Sequence, residues 1–244
     1  MGPRARVDVE RETVAAVVSV LNPTGGLVGG DRLALDVDAG PGAHACLTTP
    51  SASRVYRAAA PPTVQTVKLR LGSKAIVEWV PDHTIPFAGS AFRQSIDVVL
   101  GDGATLILLD AFAAGRIARG EAWRFALLES AVTVRDARGW LLHDRFILGE
   151  GSGAHRLGLA EGHPYFASLV VVADCGLDRF TTGASAVLAK TDGATGGVGA
   201  LPRRGVLVRC LAANAPALTA LLDALWALAR REVLGLPPLL LRKP

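Results

Sequence analysis

The chain has 244 residues; half of them are hydrophobic, one fifth are charged, and the formal net charge at pH 7 is +4. This composition excludes a disordered chain, and three cysteines, odd in number and far apart, exclude a disulfide scaffold. The mean hydropathy is positive, +0.34, but no uncharged apolar run approaches the roughly 18 residues that a bilayer-spanning helix needs, so no membrane association is predicted.

The first two thirds of the chain have the pattern of a β protein. The charged start, Met1–Arg11, has no apolar segment behind it, so no secretory signal is predicted and a cytoplasmic location is expected. Short apolar runs separated by Gly and Pro then predict strands. These runs are Thr13–Val20, Leu33–Asp38, Val64–Leu71, Ala75–Val80, Ile96–Leu100, Leu106–Phe112, Trp123–Leu128, Val132–Val134 and Leu141–Leu148. Because Gly101–Gly103 and Asp136–Gly139 look like hairpin turns, too short for crossover helices, we expect largely antiparallel strands in stacked sheets.

The last third differs in period. Gly149–Gly153 predicts a flexible break and Thr191–Gly199 a glycine-rich loop. Strands are predicted at Tyr165–Ala173 and Val206–Leu211, and leucines at helical spacing then predict an amphipathic C-terminal helix over Ala215–Leu234. Its start and stop signals are Asn214 as N-cap and Gly235 just past the end. Since no linker separates two bodies, we predict a mainly β single domain covering residues 1–244.

A glycine-rich segment, Gly25–Asp31, is the most concentrated local signal. A phosphate-binding glycine loop must open a helix, whose N-terminus supplies the N–H groups for the phosphate. Here a strand pattern follows, and the spacing matches neither nucleotide-binding form. The segment therefore predicts a tight bend, with Asp31 fixing the turn or facing a partner.

No tightly bound metal or cofactor is expected from the five histidines and three cysteines. None of them falls in a metal-binding spacing. His44 and Cys46 share one face of a predicted strand, but they supply only two of the four ligands of a tight zinc site, so we interpret them as structural. His83 lies between two prolines and is predicted to be a turn residue.

Two carboxylates leave an enzymatic hypothesis open. Asp110 and Glu121 flank a segment that contains Arg116 and Arg119. The carboxylates could act as a general acid–base pair, or they could join the arginines in ion pairs at a turn. No nucleophile motif of a hydrolase accompanies them. Because the arginines of the chain are scattered among acids, nucleic-acid binding is not predicted.

Four segments, taken in order, resemble one known family. They are Asn22–Asp31, Thr48–Arg57, Trp79–Ile85 and Gly115–Glu121, and the C-terminal residues Val208, Arg209, Trp226 and Arg230 extend the likeness. Together they are similar to the signature of the urease accessory protein family UreD, also called UreH. The resemblance spans roughly residues 15–235, nearly the whole chain.

The resemblance implies a non-enzymatic role in urease maturation. Family members assemble with the accessory protein UreF and the GTPase UreG on apo-urease and help to deliver nickel to its active site. The resemblance also implies a mainly β fold with two helices, the second near Leu177–Leu188. The competing hypothesis is a β-rich hydrolytic enzyme that uses Asp110 and Glu121.

Delivery requires that nickel be released, so a cage of Cys and His ligands would be counterproductive. We therefore expect nickel only in transit, along oxygen ligands and water. The candidate acidic groups near its route are Asp31, Asp110 and Glu121, and the candidate partner-interface residues are Arg116, Arg119 and Trp226.

Overall fold

The computed structural model describes residues 4–9, 15–22, 24–57, 61–151 and 160–241. The strands are β1 Arg4–Val9, β2 Ala16–Ser19, β3 Arg32–Ala39, β4 His44–Thr48, β5 Ser53–Val55, β6 Thr63–Leu71, β7 Ile76–Trp79, β8 Thr84–Pro86, β9 Ala91–Leu100, β10 Thr105–Ala113, β11 Leu127–Asp136, β12 Gly139–Gly149, β13 Tyr165–Val172, β14 Ala194–Ala200 and β15 Gly205–Ala212. The helices are α1 Leu177–Lys190 and α2 Ala215–Ala229; a 3₁₀ turn covers Ile117–Arg119, and a π-helical turn, Arg230–Leu234, continues α2. No helix in these ranges is long and apolar enough to cross a bilayer.

The strands form two sheets, which confirms the mainly β class. The first sheet has six strands in the order β1-β3-β6-β9-β11-β12. The second has nine: its path is β14-β15-β13-β10-β7-β4-β2, and β5 and β8 attach beside β10. The expectation of largely antiparallel pairing is wrong, because nine of the thirteen strand pairs in the described ranges are parallel.

Parallel pairing with short turns is possible because the chain coils between the two sheets. It runs from β3 to β4, from β6 to β7 and from β9 to β10, each time leaving the first sheet for the second. The strand in the opposite sheet thus serves as the crossover that a parallel pair needs. Gly101–Gly103, predicted to be a hairpin, therefore joins two sheets, whereas Asp136–Gly139 does join the antiparallel pair β11 and β12.

Three turns of this coil stack on one another and share the pattern Gly-x-x-Ala. They are Gly40–Ala43, Gly72–Ala75 and Gly101–Ala104. The Gly72 N–H donates to the carbonyl of Ala39 at 2.8 Å, and the Gly101 N–H donates to the carbonyl of Leu71 at 2.7 Å. A Cβ atom on Gly101 would lie 2.7 Å from the carbonyl carbon of Gly72, so this close backbone approach requires glycine.

We expect Gly101→Ala to lower the free energy of unfolding by about 1–3 kcal/mol, because the new methyl group overlaps a neighbouring backbone that cannot yield cheaply. Urea unfolding of the purified chain measures the change. Gly199→Ala on β14 is the control, since its added Cβ would have no atom within 4 Å. Equal losses in the two variants would contradict the stacking argument.

The apolar core lies in two layers. One layer fills the space between the sheets and includes Val37, Leu69, Val98 and Leu106. The other lies between the second sheet and the helices α1 and α2, which pack on its outer face. An aromatic cluster that includes Phe92, Phe112 and Phe125 closes one end.

Both predicted helices are confirmed, and so is the predicted start of the second one. The Asn214 Oδ1 accepts a hydrogen bond from the Ala217 N–H at 2.9 Å. Gly235 follows the π-helical turn with a φ of 66°, as a helix-terminating glycine does.

Three local predictions need correction or fall partly outside the described residues. Thr191–Gly199 is not wholly a loop, because β14 occupies it from Ala194 onward and pairs with β15. A Cβ atom on Gly196 would lie 2.2 Å from the Arg209 carbonyl oxygen of β15, so this close pairing requires glycine. The predicted strand Trp123–Leu128 is a loop as far as Ala126, since Trp123 adopts a left-handed φ of 61°. The predicted break Gly149–Gly153 and the start of Thr13–Val20 extend into ranges that are not described.

Candidate functional site

The glycine-rich bend leads into a strand, β3, and not into a helix. The Asp31 Oδ2 accepts a hydrogen bond from the Val28 N–H at 2.8 Å, and the Asp31 N–H donates to the Val28 carbonyl at 3.0 Å. A Cβ on Gly26 would lie 2.4 Å from the ring of Tyr56, so this position requires glycine. Asp31 therefore fixes the turn, and the bend has no helix N-terminus to hold a phosphate.

Glu121 is held in an ion pair. Its carboxylate accepts hydrogen bonds from Arg116, one from Nε at 2.8 Å, and from the Ala88 N–H at 3.2 Å. The hydrogen bond from Arg116 is the main reason that the pKa of Glu121 lies below its ordinary value. The guanidinium of Arg116 also lies over the ring of Phe87, 4.2 Å from its centroid. Of the two alternatives for Glu121, an acid–base catalyst or an ion pair at a turn, the geometry therefore shows the ion pair with Arg116.

Asp110 has a different environment. It lies on β10, and its buried side chain points between the two sheets. Gln94 on β9 donates from Nε2 to Asp110 Oδ1 at 2.9 Å, and Ser130 on β11 donates from its hydroxyl to Oδ2 at 2.9 Å. No basic side chain among the described residues forms an ion pair with it. Burial raises the pKa of Asp110 to about 6.

Asp110 lines two cavities between the sheets. The first cavity has a volume of about 390 Å³ and aromatic walls that include Phe112, Phe146 and Trp123. The second has a volume of about 350 Å³ and opens beside Asn22, Thr49 and Asp82. Gln94 lines only the second cavity and Ser130 only the first. The Gln94–Asp110–Ser130 network therefore forms the partition between them.

The partition offers one negative charge to a cation arriving from either side. With a pKa of about 6, roughly nine tenths of the Asp110 carboxyl groups are ionised at pH 7. The two side chains bonded to Asp110, an amide and a hydroxyl, supply only neutral oxygens, and the other carboxylate of the first cavity, Asp144, is paired with Arg209. No group of three or more His, Cys, Asp or Glu in the described ranges is placed to hold a metal ion. The site can thus contact a cation without the ligand number of a tight site.

The structure does not bring the three candidate acids together. Asp31 and Glu121 line neither of the two cavities that Asp110 lines. Arg119 is exposed beside Glu121, whose pKa it also helps to lower. Trp226 is only 7% exposed and donates from its indole nitrogen to Glu78 at 2.7 Å, so it lies on the inner face of α2, in the core against the second sheet.

Sequence reasoning missed three residues of these networks. Gln94 and Ser130 each interrupt an otherwise apolar inward face, between Phe92 and Ile96 on β9 and between Leu128 and Val132 on β11. A polar residue at an inward position of an alternating strand is the signal that could have identified them.

The third missed residue, Glu78, is fully buried on β7. It accepts hydrogen bonds from His44 at 2.8 Å, from Trp226 and from the guanidinium of Arg230. Its charge within the apolar run Ala75–Val80 was the available signal. His44 is accounted for by this bond, and Cys46 is buried two residues along the same strand.

Comparison with known proteins gives one consistent result. A family model described as UreD urease accessory protein matches residues 5–244. A urease accessory protein UreD of Deinococcus radiodurans is 34% identical over 228 residues, covering 93% of this chain and 81% of that protein. The one of Delftia acidovorans is 34% identical over 237 residues, covering 88% and 76%. The one of Pseudomonas fluorescens is 36% identical over 223 residues, covering 88% and 76%.

Proposed function

This chain belongs to the UreD family of urease accessory proteins, and on that basis we propose that it acts as a non-enzymatic maturation factor that assembles with UreF and the GTPase UreG on apo-urease and passes nickel to the urease active site. Nickel is the cargo of this process and not a resident cofactor. The proposed place of action is the cytoplasm.

The observation that carries the nickel step is the single carboxylate shared by two cavities. In this proposal nickel moves between the sheets and exchanges one water ligand for an oxygen of Asp110 as it crosses the partition. Because the carboxylate is mostly ionised at pH 7, no proton has to leave first. A single charged ligand also keeps the affinity low, so the ion can be released.

Two features support a scaffold over the hydrolytic alternative. Glu121, the second carboxylate of that alternative, is engaged by Arg116 and lies outside both cavities. The glycine-rich bend has no helix N-terminus to hold a nucleotide, so in this proposal GTP is bound by the partner UreG.

Co-expression with urease tests the assembly. We expect the chain to co-purify with UreF, UreG and apo-urease, and cells that lack it to accumulate urease without nickel. Urease that acquires nickel and activity equally well without this chain would overturn the proposal. Turnover of a substrate by the isolated chain would favour the enzymatic alternative instead.

Replacement of the shared carboxylate tests the nickel step. We expect Asp110→Asn to lower urease activation at limiting nickel by about tenfold or more, the factor that corresponds to about 1.4 kcal/mol. The defect should shrink as nickel is raised, because the variant lacks a ligand and not the assembly. Asp97→Asn on β9 is the matched control, since Asp97 lines neither cavity and, among the described residues, its side chain bonds only to Thr133 on the neighbouring strand. Equal activation by the two variants, measured as urease activity and bound nickel, would reject the role of Asp110.

A further inference from the structure

Three loops, two of which include residues of the short strands β5 and β8, meet at one end of the first sheet, where its parallel strands begin. They are residues 53–57, 85–90 and 115–126. The Phe87 N–H donates to the Val55 carbonyl at 2.9 Å, and the Gly89 N–H donates to the Arg124 carbonyl at 2.8 Å. The second loop thus ties the first and third into one surface.

This surface is strongly basic. It carries five arginines and a single carboxylate, that of Glu121. The arginines are Arg54, Arg57, Arg116, Arg119 and Arg124, and we call this set the arginine surface. Its formal charge of +4 equals that of the whole chain, so the acids and bases of the remaining sequence balance. The net charge of the protein is therefore concentrated in these loops.

Four of these five arginines form no ion pair within the described part of the chain. All but Arg116 are exposed, and none of the exposed four forms an ion pair with a carboxylate of the described residues. Elsewhere exposed arginines are commonly paired, as Arg145 is with Glu129 and Arg209 with Asp144. Four unpaired like charges on neighbouring loops repel one another, and a partner of opposite charge would relieve that repulsion.

The loops that carry the charges are held in a defined shape. Tyr56 and Phe87 pack edge to face at 5.1 Å, and Arg116 stacks on Phe87 while it binds Glu121. A Cβ on Gly115, whose φ is 135°, would lie 2.4 Å from the Glu121 carbonyl oxygen, so this approach requires glycine. Loops that are ordered before binding lose less entropy on binding, and arginine with aromatic residues is the composition enriched at protein interfaces.

We propose that the arginine surface binds an acidic surface of a protein partner in the urease maturation assembly. This inference rests on the proposed function and adds the chemistry of the contact. Guanidinium groups pair with carboxylates through two parallel hydrogen bonds, which gives direction as well as charge. A nucleic acid fits less well, because its regular phosphates call for a continuous basic track and the sequence outside these loops is electrically balanced.

Charge reversal tests the inference. The test variant combines Arg57→Glu, Arg119→Glu and Arg124→Glu and leaves the paired Arg116 intact. The control combines Lys74→Glu, Arg135→Glu and Lys190→Glu, three exposed basic residues outside the surface with no ion pair among the described residues. The two variants change the net charge equally. Affinities for purified apo-urease and for purified UreF are measured at several NaCl concentrations.

We expect the test variant to lose about tenfold or more in affinity for at least one of these partners and the control to stay within about threefold. Binding of the unmodified chain should weaken with salt, and that of the test variant should depend on salt less steeply. Equal losses in both variants, or none in the test variant, would overturn the inference. So would surface-dependent binding of a DNA duplex with unchanged protein complexes. Should the triple variant fail to fold, the single variants Arg57→Gln and Arg124→Gln decide by the same criteria.

The outcomes separate this inference from the proposed function. If the test variant binds its partners and activates urease as the unmodified chain does, the arginine surface is not the contact and the maturation role stands. If the unmodified chain neither binds these partners nor supports activation, the proposed function fails, and the inference fails with it.

Discussion

Arg230→Ala is expected to lower the free energy of unfolding by about 3–5 kcal/mol, because it leaves the buried carboxylate of Glu78 without its cationic partner. Burial by itself raises the pKa of Glu78, but the hydrogen bonds from His44, Arg230 and Trp226 outweigh it and hold that pKa below its ordinary value. The same guanidinium donates from Nε to the Pro237 carbonyl at 2.9 Å. Its loss therefore also frees the segment that follows α2.

Arg231→Ala is a matched control one residue away. Arg231 is exposed and pairs with Glu232 at the surface, so its loss should cost less than about 1 kcal/mol. Urea unfolding of both variants gives the comparison. The deficit of Arg230→Ala should also be smaller at pH 5 than at pH 8, because an unpaired buried carboxylate has a raised pKa and costs less when it is protonated. Similar losses for the two arginines, or a deficit that does not vary with pH, would contradict the burial argument.

Local signals were sufficient to predict α2, whereas α1 was expected only from the resemblance to the UreD family. The leucine spacing in α2, its cap at Asn214 and its stop at Gly235 act within a few residues of one another, so they can be read without knowledge of the fold. Most of the longer strands were also recognisable, since alternation of burial depends on neighbours two residues apart, but β1, β5, β8 and β14 were not predicted as strands.

The pairing of the strands could not be predicted from the same signals. A turn such as Gly101–Gly103 has the residues of a hairpin, but whether the chain returns beside its own strand or enters the opposite sheet depends on contacts with Gly72 and Leu71 some 30 residues earlier. The repeated Gly-x-x-Ala at these turns was the available sign of stacking. Its unequal spacing, 32 and then 29 residues, hides it from a search at a fixed period.

The candidate site likewise combines features that nearby residues predict with features that only the fold determines. Asp110 was singled out because it and Glu121 flank a segment with two arginines, but its partners Gln94 and Ser130 lie 16 and 20 residues away on strands of the other sheet. Asp31 and Glu121 share its charge and were grouped with it, although one caps a turn and the other pairs with Arg116. Charge can be read from the sequence, whereas burial and partners require the fold.

Asp110→Asn is expected to make the protein more stable at pH 7, by up to about 3 kcal/mol, while it impairs nickel transfer. The pKa of Asp110 is about 6 in the folded chain against an ordinary value of 3.8, so the folded state holds this proton more tightly than the unfolded state does. Stability is therefore lost as the pH rises through this range, and the difference of about two in pKa corresponds to about 3 kcal/mol. Asparagine carries no charge at any pH and avoids this cost. Its amide can still bond to Gln94 and Ser130.

The difference in unfolding free energy between Asp110→Asn and the unmodified chain should thus be near zero at pH 3, below the ordinary pKa of 3.8, and should grow to its full value by pH 7. Asp136→Asn should change the stability in the opposite direction. Burial acts against ionisation of Asp136 too, but the Arg138 N–H and Arg203 outweigh it and lower the pKa of Asp136. This variant should therefore lose stability above pH 4, where the carboxylate of the unmodified chain is ionised and bonded. A constant difference across the pH range for Asp110→Asn would contradict an ionised carboxylate in the partition. An uncompensated charge that destabilises the fold persists when function needs it. A variant more stable than the unmodified chain and less able to activate urease would identify Asp110 as such a charge.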